Sequence, residues 1–349
     1  MHDLIPYDSQ APLEVAAPFA NQAARQGRLD KYKRELSPET LRRHKADIAL
    51  FRQYLEVAHI PTGDMLNNIE AWKGVSWGIV EGFREWQLQQ KYAMGSVNVR
   101  LATIKKYARI AYESGIILDE DYRLIQSVRG FYGKQARNVD EKREEIRIGP
   151  KKGDPTKVSL SHMQALKSLL EKDMSYFGLR DYLLVCLLGY QGLRCGEVAS
   201  LLATNVDLRE SLIVFYRRKV HTVQQHHMHA TTLQVMRRYL EVFNPQDKLF
   251  TGIDRAEWTD SQGKLHKGHR AEQGLSTRAI NERIQYLGKK VGLDHLSPHD
   301  LRHYWTSDAF RQKTPIDVVQ EAGGWRSYAM PLHYRKSSGI ANEGIKQSQ

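Results

Sequence analysis

The stretch SPHDLRH, residues 297–303, predicts the start of a helix that carries reactive side chains. Ser297 is a favoured N-cap, the proline after it suits the first helical position, and Asp300 suits the positive end of the helix dipole. His299 and Arg302 are three residues apart, so both side chains leave the same face of that helix. A fixed cation beside a titratable imidazole suits an anionic oxygen and a proton that must move near it. Taken alone, the same pattern also describes a capped helix with solvated polar residues.

Two further segments place polar side chains at predicted turns. Arg194 has glycines two residues to either side, and it follows an apolar run at 182–188 that predicts a buried helix. This arrangement predicts a tight turn between two helices, which would hold the Arg194 guanidinium at a rigid corner. Nearer the C-terminus a Gly-Gly turn precedes Trp325, and Tyr334 stands nine residues after that tryptophan.

In order and spacing these segments resemble the tyrosine recombinase (phage integrase) family. The family pattern is Gly-x-Arg-x-x-Glu, a lysine in a β-hairpin, His-x-x-Arg, Gly-His or Gly-Trp, and a nucleophilic tyrosine nine residues on. The resemblance is close over residues 160–335 and looser over residues 37–130. It implies a mainly α fold with a small β-sheet in the C-terminal domain, made of a helical core-binding domain and a catalytic domain.

The resemblance implies chemistry at a DNA phosphodiester. Arg194 and Arg302 would hold the non-bridging oxygens through fixed donor forks. Tyr334 would attack the phosphorus, His299 would help to remove the tyrosine proton, and Lys219 would protonate the departing deoxyribose oxygen. The product would be a 3′-phosphotyrosine link with a free 5′-hydroxyl, which conserves the bond energy, so no cofactor and no metal are implied. The predicted catalytic residues are Arg194, Lys219, His299, Arg302, Trp325 and Tyr334, with Glu197 and His303 supporting them.

Other interpretations of some of these residues stay open. Lys219 follows a predicted strand, as the family's hairpin lysine does, but a solvated basic turn is the alternative. Trp325 replaces the commoner histidine, and its indole N–H can donate to a phosphate oxygen. The alternative for Trp325 is a core tryptophan. Tyr328 and Tyr304 compete with Tyr334 as the nucleophile, but Tyr334 has the family's spacing. Four histidines after the strand match no common zinc spacing, so we predict no metal site. They are His221, His226, His227 and His229.

Length and composition fit a DNA-binding protein. A chain of 349 residues is comfortable for two domains. The formal net charge of +12 and a pI near 9.5 point to a polyanionic partner. The apolar runs are too short to span a bilayer, and the N-terminus lacks the pattern of a secretory signal. Cys186 and Cys195 fit reduced thiols, so we expect a cytoplasmic protein, bacterial or phage-encoded and associated with the nucleoid.

Composition shifts divide the chain into four predicted segments. The first has weak periodicity and predicts a flexible or loosely docked arm, and the third is dense in charge and poor in apolar side chains, which is typical of a linker. The segments are an N-terminal arm (1–36), a helical DNA core-binding domain (37–132), a linker (133–157) and a catalytic domain with a short C-terminal tail (158–349).

Local signals add detail within these segments. Ser37 and Ser96 predict helix starts, 211–216 is the clearest strand, and 252–272 predicts a long surface loop. Basic residues on one predicted helix and in the linker are candidates for contact with the DNA backbone, although solvated faces are the default for such residues. The candidates are Lys105, Lys106, Arg109, Lys151 and Lys152.

The function predicted from the sequence is site-specific DNA recombination. The resemblance implies double-stranded DNA target sites as partners, a dimer on each site, a homotetramer on two sites and a Holliday junction intermediate. A type IB topoisomerase and a catalytically silent DNA-binding regulator are the alternatives. From the number of residues before the first predicted helix, we expect no arm-binding domain of the lambda type. The sequence leaves open the target DNA, accessory proteins and the choice among phage, Xer, integron and transposon types.

Overall fold

A computed structural model describes residues 13–133, 156–173, 175–217, 220–259 and 265–338. The chain divides into two compact units, Met1–Lys151 and Lys152–Gln349, while the predicted domain assignment stays a prediction. Lys151, Lys152, Lys219 and most of the predicted linker lie outside the described residues. None of the helices within the described ranges is long and apolar enough to cross a membrane.

The N-terminal unit is helical. Its elements are α1 (Leu13–Gln26), α2 (Arg28–Glu35), α3 (Pro38–Val57), a 3-10 turn (Ile69–Trp72), α4 (Trp77–Gln89), α5 (Met94–Glu113) and α6 (Asp119–Ser127). The start of α3 is confirmed, because the Ser37 hydroxyl accepts the backbone N–H three residues on at 3.2 Å. The cap predicted at Ser96 is wrong by three residues, since the extended residue Ala93 is the N-cap of α5. The core stacks Trp72 between Phe51 and Tyr107, with ring centroids 5.9 and 5.8 Å apart.

Within the described residues 13–35, the expectation of a flexible or loosely docked arm is corrected for α2, whereas α1 keeps most of its side chains exposed. These residues form α1 and α2, and Leu29 of α2 is buried in the core of the unit. An ion pair from Arg28 to Glu113 at 2.8 Å holds the start of α2 to the end of α5. The contacts that dock this segment lie about 85 residues away along the chain, so local periodicity did not reveal them.

The C-terminal unit packs helices around a buried central helix and a small antiparallel sheet, which agrees with the predicted fold class. Its helices are α7 (Leu160–Lys172), α8 (Tyr176–Gly189), α9 (Cys195–Ser200), α10 (Ala230–Phe243), α11 (Thr277–Lys290), α12 (Pro298–Arg311), α13 (Ile316–Gly323) and α14 (Ala329–Ser338). The sheet has the order β1 (Val206–Asp207), β2 (Leu212–Arg217), β3 (Thr222–His227). The buried helix predicted at 182–188 is confirmed as part of α8, whose side chains there are buried on all sides because α7, α10, α11 and α12 surround it.

The predicted long surface loop at 252–272 is wrong. This region forms a second, two-stranded antiparallel pair, β4 (Thr251–Thr259) and β5 (Leu265–Gly274). Its register shifts between Thr251 and Ile253 and again between Asp254 and Glu257. The sequence carries polar residues at successive positions in both strands, so it lacks the period-two hydrophobic pattern by which a strand is recognised.

A buried ion pair joins α8 to α11. Asp181 is fully buried and accepts from Arg180 at 3.2 Å and from Arg283 of α11. We expect Asp181→Ala to lower the free energy of unfolding by about 3 kcal/mol, because it leaves a buried guanidinium without its counter-charge. Urea denaturation measures this loss. In the control Glu282→Ala, the partner Arg278 is 88% exposed, so a change within about 0.5 kcal/mol is expected. Equal losses in both variants would contradict the buried-pair explanation.

Candidate active site

The helix start predicted from residues 297–303 is confirmed. The carboxylate of Asp300 accepts the backbone N–H of Ser297 at 2.8 Å, and the Ser297 hydroxyl accepts the N–H of Asp300 at 3.4 Å, so the two residues form a reciprocal cap at the start of α12. His299 and Arg302 then leave the first turn of α12 toward one cleft of about 630 Å³.

The corner before α9 fixes the second arginine of this cleft. Gly192 has a φ of 64°, and a Cβ there would stand 2.3 Å from the Trp305 ring, so only glycine fits the turn. Arg194 follows as the N-cap of α9. Its backbone N–H and its guanidinium donate to the two carboxylate oxygens of Glu197, at 2.8 and 2.9 Å. The tight turn predicted around Arg194 is therefore confirmed, and Glu197 orients the side chain.

The C-terminal end of α13 gathers three guanidinium groups. The helix ends in a left-handed residue, Gly324, with a φ of 59°. The preceding carbonyl, that of Gly323, accepts from Arg194 at 3.1 Å, from Arg217 at 3.0 Å and from Arg302. Carbonyls at a helix C-terminus lack intrahelical partners and carry the negative end of the helix dipole, so they attract cations.

The nucleophile candidate Tyr334 lines the same cleft of its own chain. Its side chain is 2% exposed and lies on α14. The hydroxyl is 3.5 Å from Nε2 of His299, a distance at the outer limit of a hydrogen bond. The His303 ring meets the Tyr334 ring edge-on at a centroid distance of 4.5 Å, and the Trp325 ring lies 5.5 Å away. The structure thus brings together the predicted residues Arg194, His299, Arg302, Trp325 and Tyr334, with Glu197 and His303 beside them.

The charges at this site do not balance. The carboxylate of Glu197 pairs with Arg194 and Arg217, whereas Arg302 donates to the backbone carbonyls of Gly192 and Gly323. One carboxylate beside these three guanidinium groups leaves two positive charges in excess. Burial and the neighbouring Arg194 lower the pKa of Arg302 to about 9, and burial lowers the pKa of Arg217 to about 10. Both groups stay protonated at neutral pH, and an anion in the cleft would relieve their repulsion.

Burial raises the pKa of the Tyr334 hydroxyl above 10, and this effect outweighs the opposing attraction of Arg302 and Arg194. Ionisation of this phenol therefore needs a proton acceptor, and the His299 imidazole is in contact with its oxygen.

The remaining predicted residues lie elsewhere. Lys219 is outside the described residues, and its neighbour Val220 lines the cleft. In the N-terminal unit Lys105 donates to the carbonyls of Gln126 and Val128, at 2.6 and 2.9 Å, so its ammonium caps the end of α6. Lys106 lies over the Tyr32 ring, and Arg109 pairs with Glu113 at 2.8 Å. DNA contact by these residues, and by Lys151 and Lys152, stays a prediction.

Arg217 was missed from the sequence. It directly follows the predicted strand at 211–216, and its side chain has no exposed surface. A signal was available, because strand alternation places Arg217 on the same side of β2 as the buried residues Ile213 and Phe215. Among the described residues no group of three or more histidine, cysteine, aspartate or glutamate side chains is placed to hold a metal ion. His226, one of the four histidines, contacts Arg217 instead, at 3.3 Å.

Residues 156–339 match the Phage integrase family, and this is more than half of the chain. The chain belongs to that family. It is similar to the tyrosine recombinase XerC of Pseudomonas syringae pv. syringae, with 24% identity over 294 residues and 83% of each chain covered. The chain is a tyrosine site-specific recombinase.

Two solved structures share its fold. A Tn1549 transposon integrase in complex with a circular intermediate DNA has a TM-score of 0.59 and 14% identity, with 90% of this chain and 93% of that chain covered. A lambda integrase tetramer bound to a Holliday junction has a TM-score of 0.60 and 12% identity, with coverage of 97% and 84%.

The contact between His226 and Arg217 predicts a pH dependence. Burial, then the Arg217 cation, lower the pKa of His226 to about 4 from its ordinary value of 6.5. Below pH 6.5 the unfolded chain binds a proton that the folded chain refuses, so stability falls as the pH drops from 6.5 toward 4. Between pH 7.5 and pH 5 we expect this histidine to account for a loss of about 2 kcal/mol.

Urea denaturation at the two pH values measures the effect. His226→Gln is expected to remove that part of the loss, whereas His227→Gln, which changes an exposed histidine on the same strand, serves as the matched control. The same pH dependence in wild type and His226→Gln would contradict the assignment.

Proposed function

We propose that the protein cuts and rejoins duplex DNA through a 3′-phosphotyrosine link to Tyr334. The observation that carries this proposal is the convergence in one chain of a phenol, an imidazole and two arginines on a single cleft. These groups come from α9, α12 and α14, and no metal or cofactor is part of the proposed reaction.

In the first step the scissile phosphate binds to Arg194 and Arg302. A guanidinium carries five N–H donors in a rigid fork, so each arginine can hold a backbone carbonyl and still donate to a phosphate oxygen. The excess of two positive charges favours the phosphate and the further negative charge that develops during attack. Removal of one such preorganised donor slows comparable reactions by about 100- to 1000-fold.

In the second step the Tyr334 oxygen attacks the phosphorus. With an ordinary pKa of 10, about 0.3% of a tyrosine would be ionised at pH 7.5, and burial reduces this fraction further. His299 accepts the phenolic proton as the bond from oxygen to phosphorus forms. The 5′-oxygen leaves and takes a proton, for which Lys219 is the proposed donor. A 5′-hydroxyl of a partner strand reverses these steps and rejoins the DNA.

We extend the proposal to the assembly predicted from the sequence, with a dimer on each of two target sites and strand exchange through a Holliday junction in a tetramer. The shared fold of the lambda integrase tetramer supports this extension. The basic composition of the chain supports duplex DNA as the partner.

A nicked suicide duplex tests the nucleophile. The strand distal to the nick diffuses away after cleavage, so the covalent adduct accumulates and is visible on a denaturing gel. Candidate target sites come from the DNA that flanks the gene. We expect wild type to form the adduct and Tyr334→Phe to form none, because phenylalanine has no oxygen to attack with.

Tyr328→Phe is the matched control, since Tyr328 is exposed and close to Tyr334 in the chain. We expect this variant to form the adduct at the wild-type rate. An adduct with Tyr334→Phe would overturn the assignment. Relaxation of any supercoiled plasmid, without dependence on a target site, would favour the topoisomerase alternative.

Cleavage in cis is a separate prediction. The Tyr334 hydroxyl contacts His299 of its own chain, so each protomer should supply its own nucleophile. A mixture of Arg194→Ala and Tyr334→Phe chains on the suicide duplex should therefore give no more adduct than either variant alone. A mixture of wild type and Tyr334→Phe is the positive control. If the two inactive variants together restored the adduct, the tyrosine would act in trans.

A further inference from the structure

Arg217 is a fully buried cation behind the cleft. It is the last residue of β2, and its side chain points into the catalytic unit with no exposed surface. Its guanidinium lies over the Phe215 ring, 5.0 Å from the ring centroid. A side chain without exposed surface cannot meet DNA directly, so any part that Arg217 plays in the reaction acts through its neighbours.

The first set of neighbours leads to Arg194. One guanidinium nitrogen of Arg217 stands 3.2 and 3.4 Å from the two carboxylate oxygens of Glu197. The same carboxylate accepts the backbone N–H and the guanidinium of Arg194. A carboxylate held between two guanidinium groups has little freedom to turn, so Arg217 fixes Glu197 and Glu197 fixes Arg194.

The second set of neighbours leads to Arg302. Arg217 donates to the carbonyl of Ala322 at 2.6 Å and to that of Gly323 at 3.0 Å. Arg302 also donates to the carbonyl of Gly323. The close approach requires glycine at 324, because a Cβ there would stand 2.6 Å from Cδ of Arg217. Arg217 thus holds the end of α13 in the place where that end meets Arg302.

We infer that Arg217 is a positioning residue, which sets the directions of the Arg194 and Arg302 guanidinium groups before the phosphate arrives. This inference rests on the proposed function of the cleft. With a well-packed apolar side chain at the end of β2 the protein would be at least as stable, because removal of a cation from water costs free energy even when the cation is paired. We therefore attribute the presence of the buried cation to its effect on the orientation of Arg194 and Arg302.

Single-turnover cleavage of the suicide duplex at saturating enzyme tests this inference. The time course of adduct formation gives two quantities. Its rate constant reports how fast the active molecules cleave, and its amplitude reports the fraction of the protein that is active. For Arg217→Met we expect the rate constant to fall about 100-fold, which is at the lower end of the loss caused by removal of one direct donor. The affinity for DNA should change less than about threefold. Arg217→Lys keeps the charge near Glu197 but cannot reach two carbonyls at once, so a smaller loss is expected.

Two comparisons separate positioning from a structural role. In a double-mutant cycle with Glu197→Gln, the two losses should be less than multiplicative, because both changes release Arg194. Added methylguanidinium should raise the cleavage rate of Arg217→Ala relative to the same concentration of sodium chloride. If Arg217→Met does not fold, Arg217→Lys and the rescue of Arg217→Ala carry the same test.

Arg237→Met is the matched control, because Arg237 is an exposed arginine of the same unit that donates to a backbone carbonyl. It should leave the rate constant unchanged. The inference is overturned if Arg217→Met and Arg217→Lys cleave within threefold of the wild-type rate, if only their amplitudes fall, or if the losses in the cycle multiply. Failure of the proposed function is distinguishable, since wild type itself would then form no adduct.

Discussion

The carbonyl of Gly323 is the point on which the geometry of the cleft depends. A carbonyl oxygen offers two lone pairs, yet three guanidinium groups converge on this one. Their residues are separated from Gly323 by 129, 106 and 21 positions along the chain. The carbonyl is neutral, so it aligns the arginines without cancelling their charge. A carboxylate in the same place would align them equally well but would compete with a phosphate for the same donors.

The fold holds these guanidinium groups close together, and their mutual repulsion is unfavourable. Burial lowers the pKa of Arg302 to about 9, with the Arg194 cation as the next cause, so the folded chain already works against protonation of its own arginine. The hydrophobic core around α8 offsets that repulsion. A phosphodiester in the cleft would relieve it, because the anion replaces the missing counter-charge. The carbonyl of Gly323 thus aligns the arginines, and their unbalanced charge favours binding of the phosphate.

The parts of the site that sequence predicts are those fixed locally. The bonds from Ser297 to Asp300 and from Arg194 to Glu197 join residues three positions apart, and the left-handed φ of Gly192 is a local signal. Strand alternation indicates that Arg217 is buried, but its contacts are carbonyls 105 and 106 positions away, which the local sequence does not predict. The β4–β5 pair and the docking of α2 were missed for a related reason. The two strands pair with each other but lack an alternating apolar pattern, and the contacts that dock α2 lie about 85 positions away.

The proposed attack has a consequence for the role of His299. In the DNA-free chain Arg302 and Arg194 lower the pKa of Tyr334, although burial outweighs them. A bound phosphate would offset the positive charge of both arginines, and its own negative charge would oppose formation of a phenolate beside it. Electrostatic help from the arginines would thus decline at the moment when the nucleophile must lose its proton. The arginines would then stabilise the transition state rather than the phenolate, and removal of the proton falls to the imidazole 3.5 Å from the tyrosine oxygen.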